Sequence, residues 1–326
     1  MSMNQRTRYV LVGGAGVMAV GLAGGLAAWV SSSLPSLALA QERPDELRYV
    51  PPEATILSFA NVREVMDSDL RRRLREIQPE LDGQREFQER TGIDIERDID
   101  YVVGGLVPDG SDDTTGIAIL AGRFDTERLE ALALQHGGAA SDYQGRRLIT
   151  IGDESAAMAF LESGVIAIGS EALVKRTIDL PSSGGGVDAD DSLMGLLRHV
   201  DSGSTAWTVG RLDNPGGGEW LPDQVESQVS QVAAFAIGAR VNGGVSGRLT
   251  AEARDEETGR NLRDLLQGLL ALARLQMGSR PELRGLLDSL RLTSAGANVT
   301  LAFDLPADAV LELLPDRPDA NAANAP

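Results

Sequence analysis

The chain predicts an α+β fold: two tandem similar units, mainly antiparallel sheets with helices packed on one face. Three observations predict it. Short runs of alternating apolar and polar residues recur along the chain and read as strands. Several are joined by turn chemistry too short for a helical crossover, as at Pro108-Asp109-Gly110-Ser111-Asp112-Asp113, so they form hairpins. The helical stretches between them carry one apolar stripe, enough to cover one face of a sheet.

Taken in order, Thr55 to Val62 alternates as a strand. Arg63 to Ile77 reads as a helix, with Val62, Met66, Leu70, Leu74 and Ile77 recurring at spacings of three and four. Tyr101–Val107 and Thr115–Phe124 form a hairpin, after which Asp125 caps a helix through Gln135. Leu148–Ile151, Ala156–Leu161 and Val165–Ile168 follow as strands, and Glu171 to about Ile178 closes the unit as a helix. Residues 48–180 are thus the first unit. Pro181-Ser182-Ser183-Gly184-Gly185-Gly186 has the chemistry of a linker or long turn.

The second unit, residues 187–314, replays the order. Thr205–Leu212 is a strand, Asp223–Val229 a helix, Ala234–Val241 and the run to Ala253 two strands, and Glu256–Gln276 a longer helix. Strands at Leu290–Ser294 and Asn298–Leu305 and a helix at Ala307–Leu314 complete it. Phe235-Ala236-Ile237-Gly238 stands against Tyr101-Val102-Val103-Gly104 at an offset of 134, and Ala302-Phe303 against Ala159-Phe160 at 143. An internal duplication explains this, and so does a shared strand–helix rhythm. The two sheets are expected side by side or joined edge to edge. Residues 315–326, rich in Pro, Asp, Asn and Ala, have little to bury and read as a disordered tail.

The first forty residues carry an address. Arg6 and Arg8 precede an uncharged run, Tyr9 to Val30, and Ala38-Leu39-Ala40 stands before Gln41. A basic start, an apolar middle and small side chains before the junction are the parts of a secretory leader, with Ala38, Ala40 and Gln41 as the signal-peptidase site. The run is also long enough to span a bilayer as an N-terminal membrane anchor. Both readings export the remainder, to the periplasm or cell envelope. Gly13-Gly14-Ala15-Gly16 imitates a dinucleotide turn, but the following helix, second strand and acidic residue are missing.

Composition bounds the chemistry. Without cysteine, disulfides, iron–sulfur clusters and thiol nucleophiles are excluded, and two histidines cannot make a three-histidine metal site. The formal charge is −18; without the two leader arginines, 28 basic residues face 48 acidic ones, a net −20. Such a surface repels phosphate backbones, so no nucleic-acid partner is expected.

Val50-Pro51-Pro52-Glu53-Ala54 opens onto the first strand, Gly92-Ile93-Asp94 precedes Asp98-Ile99-Asp100, and Gly122-Arg123-Phe124-Asp125 starts a helix. Tyr143-Gln144-Gly145 and Ala159-Phe160 punctuate the strands that end at Ile166-Ala167-Ile168-Gly169-Ser170. In these features, over residues 48–180, the chain resembles a family of exported bacterial proteins of unknown function with a leader followed by repeated α+β units. The resemblance implies export and fold, and no functional residue.

Candidate chemistry is sparse, and no catalytic, cofactor or metal residue is assigned. Asp109–Asp113 and Asp188-Ala189-Asp190-Asp191 lack the spacing of a calcium loop and read as acidic turns. Arg71-Arg72-Arg73-Leu74-Arg75 could touch anionic headgroups, but nearby Glu64, Asp67, Asp69 and Glu76 make it a self-paired helix face. Gly243-Gly244-Val245-Ser246-Gly247 misplaces the serine of a nucleophile elbow. His136 and His199 end helical stretches as capping or surface residues. The stripe Leu262, Leu265, Leu266, Leu269, Leu270 and Ala273 either covers a sheet or lines an apolar cavity. The expectation is a non-enzymatic exported binding or scaffolding module of the envelope, without cofactor. A carrier of an apolar ligand such as a lipid, and a hydrolase without a recognisable motif, are the alternatives.

Overall fold

The computed structural model describes residues 44–77, 88, 92–108, 114–151, 156–183, 185–212, 231–277 and 287–312. Its centre is one antiparallel sheet of twelve strands. They are β1 (Ile56–Ala60), β2 (Ile99–Pro108), β3 (Thr114–Gly122), β4 (Ala139–Tyr143), β5 (Arg146–Ile151), β6 (Ala156–Glu162), β7 (Val165–Ser170), β8 (Ala206–Arg211), β9 (Val232–Val241), β10 (Gly244–Ala253), β11 (Arg291–Ala295) and β12 (Asn298–Pro306). Across the sheet the order is β11-β12-β10-β9-β8-β1-β2-β3-β7-β6-β5-β4. The helices are α1 (Val62–Asp67), α2 (Asp69–Ile77), α3 (Ile95–Asp98), α4 (Thr126–Gln135), α5 (Glu171–Ser183), α6 (Asp191–Met194), α7 (Glu256–Met277) and α8 (Ala307–Glu312). The α+β class and the antiparallel pairing are those expected from the hairpin turns.

The two halves meet edge to edge. β1 and β8 are the central pair, in register from Ile56 opposite Gly210 to Ala60 opposite Ala206. Ser58 and Thr208 share a buried hydroxyl hydrogen bond of 3.0 Å across this seam, and Phe59 stacks on Trp207 with ring centroids 5.7 Å apart. Outward from the seam the order is mirrored: β1-β2-β3-β7 on one side, β8-β9-β10-β12 on the other. Each central strand is preceded by the same three-ten turn. Leu47-Arg48-Tyr49-Val50 closes with Val50 N–H on the Leu47 carbonyl at 3.1 Å; Leu197-Arg198-His199-Val200 closes with Val200 N–H on Leu197 at 3.0 Å. These two turns stand 150 residues apart. The match of Ala159-Phe160 to Ala302-Phe303 pairs different places: the former lies on β6, whereas β12 lies beside β10 as β7 lies beside β3.

Helices cover both faces, where the sequence pattern allotted them to one. β3 shows why: Ile117 and Ile119 point into one core, Ala118 and Leu120 into another, and all four are buried. The first core takes Leu173, Val174 and Ile178 of α5 with Leu193 and Met194 of α6. The second takes Val62 and Met66 of α1 with Leu129 of α4. A third gathers Leu70 of α2 and Val310 of α8 over Val241, Val245 and Leu305. A run buried on both faces reads as continuous rather than alternating.

Three local readings also change. The helix expected over Arg63–Ile77 is two, broken at Ser68, whose hydroxyl donates to the Val65 carbonyl at 2.6 Å and accepts Arg71 N–H at 3.1 Å. A serine that satisfies the backbone this way competes with the helix ladder. The expected linker at Pro181–Gly186 begins inside α5, which runs through Pro181 to Ser183. Val187, fully buried, then pins the chain through its N–H to the Val50 carbonyl at 2.8 Å. Finally β4, mostly exposed, is an unforeseen edge strand. It joins β5 through Gln144-Gly145, with φ of 51° and 75°, the two left-handed residues of a tight hairpin turn. The leader with Ala38, Ala40 and Gln41, the helix at Asp223–Val229 and the tail 315–326 lie outside the described residues.

Candidate functional site

The feature that packing leaves unexplained is α7. Its start follows from local chemistry: Asp255 accepts Thr258 N–H at 2.7 Å, and that bond holds the Asp255 carboxyl below its usual range. Arg260 and Glu256 pair at 2.9 Å one turn apart. Gly259 lets the helix lie against the β11–β12 turn, since a Cβ there would meet the Ala297 carbonyl at 3.0 Å. Along the remaining turns Leu262, Leu266, Leu270 and Ala273 are half-buried. Leu265, Leu269, Leu272 and Leu275 are 39, 53, 49 and 82 % exposed. The apolar arc of α7 is therefore wider than the sheet beneath it can cover. These leucines leave on the order of 400 Å² of apolar surface, the size of a functional patch on an ordinary monomer. Beside α7 runs β11, an edge strand that among the described residues pairs with β12 alone, leaving its outer row of backbone groups without a strand partner there.

The other sequence candidates resolve as structural parts. In the arginine run Arg72 pairs locally, with Asp69; Arg71 and Arg75 reach Glu96, and Arg73 reaches Asp308 at 2.7 Å. The patch joins α2 to α3 and α8 instead of presenting free cations. Burial opposes ionisation of Asp190, but bonds from the Ser192 hydroxyl and from Ser192 and Leu193 N–H, with Arg211 nearby, hold its carboxyl low as the cap of α6. Asp109–Asp113 lies outside the described residues. Among those described, no group of three acidic or histidine side chains could hold a metal. Ser246 sits within β10, paired to Arg240 and Asp304, where no sharp turn presents it.

His136 caps α4, its Nδ1 2.8 Å from the Leu132 carbonyl. His199 is mostly buried, with Nε2 3.9 Å from Glu252; burial and then Arg198 push its pKa down. A cavity of about 460 Å³ between β4–β5 and α5 is lined by Tyr49, Gln144, Arg146, Asp179 and Ser182 beside Leu161 and Ile178. Tyr143 donates to Asp179 at 2.8 Å at its edge. Such a mixed lining suits water or a polar group better than an acyl chain.

Sequence reasoning named the leucine stripe but not its exposure. The stripe has the same period whether covered or bare; only its excess width hinted that one sheet would not hide it.

No family model matches the chain, and no curated protein matches it. Two solved structures of TP0453 resemble it: crystal form III, with a TM-score of 0.49 and 10 % identity over 83 % of this chain and 99 % of that one; and crystal form IV, with 0.47 and 9 % over 82 % and 96 %. Likeness of that degree carries no argument about function. By its own architecture the chain is an α+β protein, built over the described residues on one twelve-stranded antiparallel sheet. No described helix is long and apolar enough to cross a membrane.

Proposed function

We propose that this is an exported, non-enzymatic binding or scaffolding protein of the cell envelope, made of two equivalent α+β units, that docks a partner protein on α7 and β11. The bare leucines of α7 carry the reading. A typical interface takes about 800 Å² from each partner, roughly twice what the four leucines offer, so the docked surface extends onto a neighbour. β11 is that neighbour, and an extended partner segment can add to its open edge while its alternate side chains cover α7. A lipid surface fits α7 less well. Interfacial helices are rich in basic residues on the polar face. Here Arg260, Arg263 and Arg274 are balanced by Glu256, Glu257 and Asp264, on a chain of net charge −18.

The displaced carboxyls support a structural chemistry. Glu130, Asp190 and Asp255 all lie low, held by hydrogen bonds from Arg147, from Ser192 and Leu193, and from Thr258 respectively. A general acid would be displaced upward. The test is photocrosslinking in cells from positions 269 and 293, with Leu265→Asp/Leu272→Asp as control. Crosslinks to one protein from both positions, lost in the control, support the reading. Crosslinks only to lipid would replace it with membrane apposition.

A further inference from the structure

A second place, remote in the chain from α7 and independent of the docking reading, gathers cations in this acidic protein. Between α3 and the start of α4 lies a pocket of about 140 Å³, bordered by Arg97, Arg123 and Arg128 with Asp98, Asp125 and Phe124. At about 30 Å³ per water, that is room for roughly four or five waters, or one phosphate-sized tetrahedron, but not a nucleotide.

Both carboxylates are already committed to the backbone. Asp98 Oδ2 accepts Asp94 N–H at 2.9 Å, and Asp125 Oδ1 accepts Arg128 N–H at 3.0 Å as the cap of α4. The guanidiniums lie at the open rim of the pocket, Arg97 and Arg123 at 73 and 60 % exposure, and make few bonds to the protein. Arg97 reaches Asp98 only at 3.4 Å. Arg123 gives Nη2 to the Arg97 carbonyl and stands 3.5 Å from Asp100, which Arg63 Nε already holds at 2.5 Å. The Arg128 guanidinium has no hydrogen bond or ion pair among the described residues. The first turn of α4, a ten-residue helix whose end Asp125 caps, borders the same pocket.

We infer that this pocket binds a phosphate-type oxyanion, either free inorganic phosphate or the phosphate of a lipid headgroup. One guanidinium fork satisfies a carboxylate. Three forks, arriving from α3, the β3–α4 connection and α4, can converge on acceptor oxygens in a non-planar array, which a tetrahedral oxyanion supplies. The lining, three cations against two anions, keeps a net positive charge.

The test is calorimetric titration of the full chain with inorganic phosphate at low ionic strength, followed by binding to vesicles of phosphatidylglycerol or of phosphatidylcholine alone. The expected result is saturable phosphate binding that Arg97→Gln and Arg128→Gln each weaken about tenfold, the worth of a charge-assisted hydrogen bond. Arg72→Gln, an exposed arginine outside the pocket, should leave it unchanged, and circular dichroism checks that each variant folds. Phosphatidylglycerol binding lost in Arg128→Gln, with or without free-phosphate binding, assigns the headgroup as source. Binding to neither phosphate nor phosphatidylglycerol, or equal affinity in wild type and Arg128→Gln, overturns the inference.

Discussion

Truncating Leu269 and Leu272 together to alanine asks whether the α7 leucines are bare in the folded chain. A Leu→Ala change deletes three carbons, worth about 0.8 kcal/mol each when fully buried. Leu269 and Leu272 are 53 and 49 % exposed, so about half of that transfer energy, roughly 1.2 kcal/mol per site, is at stake. No cavity forms, because solvent fills the vacated space, and alanine's better helix propensity returns about 0.2 kcal/mol each. The double variant should lose about 2 kcal/mol. Leu57→Ala, at a wholly buried site on the central strand, should lose about 2–5 kcal/mol by itself, because it also leaves a cavity. Urea unfolding of the three proteins, compared at constant m, measures both numbers. A loss beyond about 4 kcal/mol in the double variant would show that another part of the molecule covers this face, and the docking surface would fall with it.

Three further outcomes are expected. Gln144→Gly relieves a non-glycine residue at φ 51° and should raise stability by about 0.5–1 kcal/mol in the same assay; a loss would deny the tight turn between β4 and β5. Tyr101 donates to Glu46 at 2.7 Å, and burial, then this bond, pushes its hydroxyl well above the usual phenol range. Tyr101→Phe strands a buried carboxylate whose second oxygen already lacks a partner, and should cost about 1–3 kcal/mol; a neutral result would mean that water reaches Glu46. His199 has a folded pKa below its ordinary 6.5. The unfolded chain therefore binds a proton first, so this residue's stabilising contribution is present above about pH 6.5 and is lost as the pH falls toward the folded value. Unfolding of His199→Gln compared with wild type between pH 7.5 and 5 should show a shallower decline in the variant, and parallel curves would remove the effect.

Much of the fold was legible. The antiparallel pairing of Tyr101–Val107 with Thr115–Phe124, the cap at Asp125 and the alternation in Ala234–Val241 depend on neighbours in the chain, and each strand or helix expected there is present. What escaped has a common cause. Ser68 breaks a helix by satisfying its own backbone, against a stripe that runs on unbroken. β4 is an edge strand with little apolar pattern, held by its ladder to β5. The repeat at Leu47-Arg48-Tyr49-Val50 and Leu197-Arg198-His199-Val200 was hidden because only its hydrogen bonding, in two short turns, makes it stand out. The arginines of the anion pocket come from three elements, so no local spacing could gather them.

By itself the sequence determined the class of elements, the antiparallel pairing, the acidic surface, the exclusion of thiol chemistry and the presence of a leucine-striped helix at the far end of the chain. Each of these is set by periodicity, turn residues or composition, which act within a few positions or need no geometry at all. Tertiary structure alone decided that the two halves share one sheet through β1 and β8, that helices cover both faces, and that α7 is left half bare. Those outcomes depend on which distant surfaces meet and how wide each one is. Burial is a property of the pair in contact, and half of every such pair lies elsewhere in the chain.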